Sequence, residues 1–164
     1  MRFVTQIAAV WALVGGVFLI AIMAVTSVNA GAFLLDRLAA LTGGNVAGLS
    51  GYEDFVSLAV ACAAMTFLPY CQVRSGHIVV DLFANLLSPR LQRALDRLWL
   101  AATVALCVFL TYWMGVGLAE VRSDGVLSPI LGWPVWPSYI PGILSLVLWG
   151  VVAAGQAFGA PGHD

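Results

Sequence analysis

Residues 7–28 read IAAVWALVGGVFLIAIMAVTSV, 22 positions without a charged side chain. A transmembrane helix needs about 20 mostly apolar residues to cross a hydrocarbon core roughly 30 Å thick, so this stretch is long enough to span. Arg2 before it and Val28-Asn29-Ala30 at its end imitate a secretory signal with a small-residue cleavage site. The apolar part of such signals covers only about 7–15 residues, and the expectation is a retained membrane helix. Three more uncharged stretches of spanning length follow, Phe55–Val73, Leu98–Ala119 and Ser138–Phe158. Inside lipid the backbone can satisfy its own polar groups only as a helix or a closed barrel. None of the four stretches alternates as barrel strands do. The sequence therefore predicts an all-α integral membrane protein, one membrane domain over residues 1–164 with four transmembrane helices. Pro69 allows a kink near the end of the second. Pro134, Pro137 and Pro141 set how the chain turns into the fourth.

Composition agrees. The chain is 62% hydrophobic and 9% charged and contains no lysine, whereas soluble domains carry about a quarter charged residues. A net charge of −1 gives no basic field for nucleic acid. The three cysteines, Cys62, Cys71 and Cys107, lie in apolar runs without a CxxC pair. An odd, unpaired set argues against a disulfide framework or structural zinc, and buried inert thiols are expected.

Arginines set the orientation. Arg2, Arg74, Arg90, Arg93 and Arg97 fall on the side shared by the N-terminus and the middle connection, and only Arg37 and Arg122 on the other. The positive-inside rule places the richer side in the cytoplasm, N-in and C-in. Tyr52, Trp133, Trp136 and Tyr139 then mark the outer interface, and Tyr70 and Trp99 the inner one. Between their boundary residues the spans hold no Asp, Glu, Lys, Arg or His. Ion-coupled carriers place ionisable groups at that depth, and haem subunits place histidines there. Glu53 and Asp54 come closest, at the first turn of the second helix, where a helix N-terminus favours carboxylates. They are expected to cap that helix or to contact an extracytoplasmic partner. No catalytic residues, metal site or cofactor site is expected. Small residues recur every fourth position at Ala8/Ala12/Gly16, Thr111/Gly115/Ala119 and Gly150/Ala154, a spacing that lets membrane helices approach closely.

The middle connection is not an ordinary loop. Ile78, Val79, Leu82, Phe83, Leu86 and Leu87 share one face of a helical projection, and His77, Asp81 and Asn85 the other. This predicts an amphipathic arm lying at the interface over about 77–97, with Ser88-Pro89 opening a new helix that carries Arg90, Arg93 and Arg97. His77 and Asp81 stand four apart on the wet face, where such a pair stabilises by a few tenths of a kcal/mol. A metal would need further ligands, so a structural pair or subunit contact is expected.

The run Arg74-x-x-His77-Ile78-x-Val80-Asp81-Leu82 resembles the signature of the small membrane subunit of tripartite ATP-independent periplasmic (TRAP) transporters. Tyr52-Glu53-Asp54-Phe55, Pro89-Arg90 and the stretch from Leu131 to Tyr139 fall into register with it. The likeness covers roughly Tyr52 to Trp149. A long Gly-rich first connection, Gly31–Gly51, departs from the pattern, with Phe33–Leu41 expected as an extra interfacial turn.

The resemblance implies a helper rather than a pore. In such systems a periplasmic substrate-binding protein delivers an organic acid to the membrane complex. A large membrane subunit carries substrate and sodium, and the small one acts as its scaffold, here as a heterodimer set among membrane lipids of the bacterial inner membrane. It makes Arg74, His77 and Asp81 family-motif residues with structural contacts. Glu53, Asp54, Trp133, Trp136 and Tyr139 become candidates for contact with the binding protein or for assembly. Sodium is expected on the large subunit and no cofactor on this chain. Two other readings are a four-helix anchor of a cytochrome or quinone-linked enzyme, which needs haem-ligating histidines, and a stand-alone small exporter, which needs a membrane-embedded carboxylate.

Overall fold

The computed structural model describes residues 2–74 and 88–158. Four long helices make up the described chain: α1 (Arg2–Ala40), α2 (Tyr52–Val73), α3 (Pro89–Ser123) and α4 (Tyr139–Phe158), with a 3-10 turn at Trp136–Ser138 leading into the last. All four are long and apolar enough to cross a membrane. No strand is present among the described residues, only an isolated antiparallel bridge between Leu127 and Pro134. His77, Asp81 and the 77–87 part of the arm lie outside the described residues.

The helices pack in series, α1 on α2, α2 on α4 and α4 on α3. This order makes a layer rather than a closed ring. The inner pair α2 and α4 is the more buried, while α1 and α3 show most of their surface. Leu13, Val17, Ile20 and Met23 of α1 and Val108, Phe109, Tyr112 and Trp113 of α3 are among the exposed apolar side chains. In lipid such surface costs nothing to leave uncovered, because acyl chains are as apolar as leucine.

Close approach relies on small residues, though not always the ones the four-residue spacing selects. Ala8 is fully buried, as that spacing predicts. Two turns on it is Gly15, not Gly16, that meets α2: a Cβ added to Gly15 would strike the Thr66 hydroxyl and the Phe67 ring, whereas at Gly16 it would meet open space. Gly115 also faces open space, and Gly150 lies against Cys107. The added term is rotation. A true helix repeats every 3.6 residues, so a strict i, i+4 ladder drifts off the contact line.

Two helices are longer than the roughly 30 Å of a hydrocarbon core requires. The 39 residues of α1 reach roughly 58 Å and the 35 of α3 roughly 52 Å, at about 1.5 Å per residue. Of the interfacial turn expected at Phe33–Leu41, all but Leu41 is instead the continuous end of α1, and only residues 41–51 form a connection. That stretch has no helix breaker until Gly43-Gly44, so the helix simply propagates. The connection folds back along it: Asn29 Oδ1 accepts the Leu49 N–H at 3.0 Å and Asp36 Oδ1 the Val46 N–H at 2.9 Å. At the other end α3 starts at Pro89 and runs unbroken into the span, as expected from Ser88-Pro89. Ser88 holds an extended N-cap conformation, but its hydroxyl makes no capping bond.

Candidate functional site

At the end of the layer away from Arg74 the chain between α3 and α4 forms a small hairpin. Ser128 N–H donates to Trp133 O at 2.8 Å and Val135 N–H to Val126 O at 3.1 Å. Gly125 and Gly132 supply its left-handed turns at φ +60° and +65°. The buried Ser128 hydroxyl accepts the Trp133 N–H at 3.1 Å. Asp54 holds the hairpin from the side. Its Oδ2 accepts the N–H of both Ile130 and Leu131, each at 2.8 Å, and the residue is only 7% exposed. Sequence reasoning expected this carboxylate to cap its own helix or to contact an extracytoplasmic partner. The structure turns it to the neighbouring loop, and the helix starts instead on Gly51, in a left-handed conformation (φ +81°) with no side-chain cap. A side chain at Gly51 would run into Leu131, so the glycine also lets the hairpin seat.

The other candidates at this end separate. Glu53 is exposed. The Arg122 guanidinium lies 5.2 Å from the Trp136 ring centre, a cation–π contact. Tyr139 lies beside Gly117. Trp133 stays about half exposed, in company with exposed Leu127, Ile130 and Leu131. The hairpin thus presents an apolar tip on a hydrogen-bonded frame.

At the opposite end Arg74 closes α2. Its Nε donates to the Tyr70 hydroxyl at 3.0 Å, and its guanidinium sits 5.5 Å from that ring centre. Arg90, Arg93 and Arg97 are exposed on the projecting turns of α3. Cys62 and Cys107 are buried as expected, but Cys71 is exposed, because it lies on the side of α2 away from its neighbours.

Sequence reasoning missed the polar clasps inside the layer. Gln72 Nε2 donates to Gln156 Oε1 at 2.7 Å, Gln156 Nε2 to Gln72 O at 3.0 Å, and Trp149 Nε1 to Gln72 Oε1 at 3.0 Å, locking α2 to α4. Trp11 Nε1 donates to Ser145 Oγ at 2.8 Å, tying α1 to α4, and that hydroxyl donates to Pro141 O at 2.6 Å. The signal was available: an uncharged polar side chain alone in an apolar span must find a partner inside the protein. Among the described residues no buried side-chain N or O atom lacks a partner. Nor is there, among them, any group of three or more His, Cys, Asp or Glu placed to hold a metal.

An open groove of about 490 Å³ lies between α3 and α4; its walls include Val104, Val108, Thr111, Val147, Gly150 and Ala154. Its lining is almost wholly apolar, so it offers packing and no chemistry.

These features define a class, an all-helical multi-pass membrane protein whose internal polar groups serve its own packing. Residues 43–160 match the family model described as Tripartite ATP-independent periplasmic transporters, DctQ component, and the chain belongs to that family, the small subunit of TRAP transporters. No curated protein and no solved structure matches it. The matched range takes in α2, α3 and α4 and leaves α1 outside.

Proposed function

We propose that this chain is the scaffold beside the large membrane subunit of a sodium-coupled, binding-protein-dependent uptake system for an organic acid in the bacterial inner membrane, and takes no part in the substrate path. The observation that carries this reading is the saturation of its buried polar groups: Thr66, Gln72, Thr103 and Ser145 all have hydrogen-bonded partners. A transport site needs polar or charged groups whose binding capacity is open to a solute or ion. The layer offers hydrogen-bonded clasps within and apolar faces without, which suits a static support.

Glu53 and the apolar tip of the outer hairpin are the part of the scaffold that meets the binding protein. Asp54 serves that contact indirectly, by holding the hairpin in shape. Arg74, His77 and Asp81 serve structure or assembly at the cytoplasmic side.

Co-expression with a large subunit and purification through a tag on this chain tests the scaffold role. A stable one-to-one complex that takes up substrate in liposomes only when both subunits are present is expected. Sodium-driven uptake by this chain alone would overturn it.

A further inference from the structure

The first ten residues of α3, 89–98, form an amphipathic projection. Gly150 meets Cys107 and Gly117 meets Tyr139 across the α3–α4 contact, and this antiparallel register puts Phe158, the last described residue of α4, level with Trp99. Residues 89–98 therefore continue past it. At about 100° per residue, Arg90, Arg93 and Arg97 share one sector roughly 60° wide, and Leu91, Leu95 and Leu98 another on the far side. The leucine sector runs straight into Ala102, Leu106, Phe109 and Trp113, all exposed on the span. The surface that faces lipid along α3 thus extends through the projection, and Trp99, 71% exposed, stands where the two meet.

An exposed tryptophan beside arginines marks a membrane–water boundary, the indole at headgroup level and the long cationic side chains reaching phosphate. Among the described residues at this end the arginines, Arg2, Arg74, Arg90, Arg93 and Arg97, outnumber the carboxylates, of which there is one, Asp96. Every cation in the chain is arginine, whose planar fork matches phosphate oxygens two at a time. An acidic loop of another protein would also be attracted by this excess of positive charge. Lipid is favoured because the arginines share their helix with an apolar stripe continuous with the lipid-facing surface, so these turns already lie against the membrane.

We propose that Arg90, Arg93 and Arg97 form a binding surface for anionic phospholipid headgroups, so that this end of the subunit is seated by acidic lipid. The inference needs only that α3 crosses a bilayer and does not depend on the scaffold role.

The test uses the full chain in nanodiscs of equimolar phosphatidylglycerol and phosphatidylcholine, with the lipids retained on release counted by native mass spectrometry. Phosphatidylglycerol is expected to be enriched on the wild type, by up to about fivefold per arginine at low salt and less as salt rises. R90Q, R93Q and R97Q should each remove part of the enrichment and the triple variant all of it, while the triple lysine variant keeps most. R37Q, at the other end, should leave it unchanged. Equal retention of the two lipids on the wild type would overturn the proposal, as would full enrichment on the glutamine variants. Undiminished enrichment with loss of the large subunit would reassign the arginines to a protein contact. If the triple glutamine variant fails to fold, the single substitutions and the lysine variant still decide it.

Discussion

Asp54 and Leu131 lie 77 positions apart in sequence, yet the carboxylate of one accepts the backbone N–H of the other at 2.8 Å. The same oxygen takes the Ile130 N–H, so one atom fixes the tip of the hairpin to the start of α2. Removing the acceptor strands two backbone donors. A hydrogen bond to a charged group is worth about 1.5–3 kcal/mol, and an unsatisfied buried donor costs about 1–3. Asp54→Ala is therefore expected to destabilise this end of the layer by roughly 2–4 kcal/mol. Trypsin cleavage after Arg122 should accelerate, as the adjoining loop opens. Asp54→Asn keeps an acceptor oxygen and should lose about half as much. Unchanged proteolysis and thermal midpoint in Asp54→Ala would mean that the clamp contributes nothing.

Exposed Glu53 provides the contrast. Surface substitutions of this kind change stability by no more than about 0.5 kcal/mol, so Glu53→Gln should fold and assemble normally. Under the proposed function it should lower uptake in the reconstituted three-part system without lowering the yield of the membrane complex. Loss of the complex instead would assign Glu53 to assembly.

How much of this was legible beforehand depends on the range of the interaction. The four spans could be read because burial in lipid acts on every residue of a segment, and twenty apolar positions in a row leave little alternative. The start of α3 was legible because Ser88-Pro89 is a local signal. The extent of α1 was not, since Phe33–Leu41 carries both an interfacial pattern and a helix-compatible sequence, and nothing local stops it before Gly43-Gly44. The bond from Asp54 to the hairpin was not legible for a similar reason. Near a helix start a carboxylate has a sufficient local explanation, and the competing partners at Ile130 and Leu131 exist only once the layer is assembled. The Gln72–Gln156 clasp was equally invisible in spacing, because it joins two helices whose relative register no sequence pattern states.

That clasp makes a prediction about non-additivity. Gln72→Leu removes the partner of Gln156 and of the Trp149 indole N–H at once, leaving polar groups unpaired between two helices. Membrane-embedded hydrogen bonds average about 0.6 kcal/mol and reach about 1.7, so a loss of roughly 1–3 kcal/mol is expected for the single change. Replacing Gln72 and Gln156 by leucine and Trp149 by phenylalanine together removes donors and acceptors in matched sets and should cost less than Gln72→Leu alone. Unfolding midpoints of the single and combined variants in one detergent would show this as a coupling term. Strict additivity would show that the three side chains act independently.

Neighbouring glycines on α1 give a sharper comparison. A methyl group at Gly15 would collide with Thr66 and Phe67, while one at Gly16 would meet open space. Gly15→Ala should force α1 off α2, at the roughly 1–3 kcal/mol typical of overpacking. Gly16→Ala should be neutral or stabilising by up to about 1 kcal/mol, from the smaller backbone freedom lost on folding. Crosslinking between cysteines placed in α1 and α2 should fall only in the first variant. If both behave alike, the packing of α1 against Thr66 is not the contact that seats it.

The last prediction concerns which way the layer faces. With antiparallel neighbours throughout, Arg2, Arg74 and Phe158 belong to one end, and Glu53, Arg122 and the hairpin to the other. Arginine is the residue type that fixes orientation, while carboxylates contribute little. The arginines at the first end outnumber those at the second by five to two. Green fluorescent protein fused after Asp164 should therefore fluoresce, and alkaline phosphatase fused there should be inactive. Alkaline phosphatase inserted at Gly125 should be active, since only the extracytoplasmic side supports its disulfides. Because orientation is decided by charge, replacing Arg90, Arg93 and Arg97 by glutamine while adding arginines at positions 123–125 should drive a fraction of molecules into the inverted topology. The reverse pattern of reporter activity in the unmodified chain would place the hairpin in the cytoplasm, where no periplasmic binding protein could reach it.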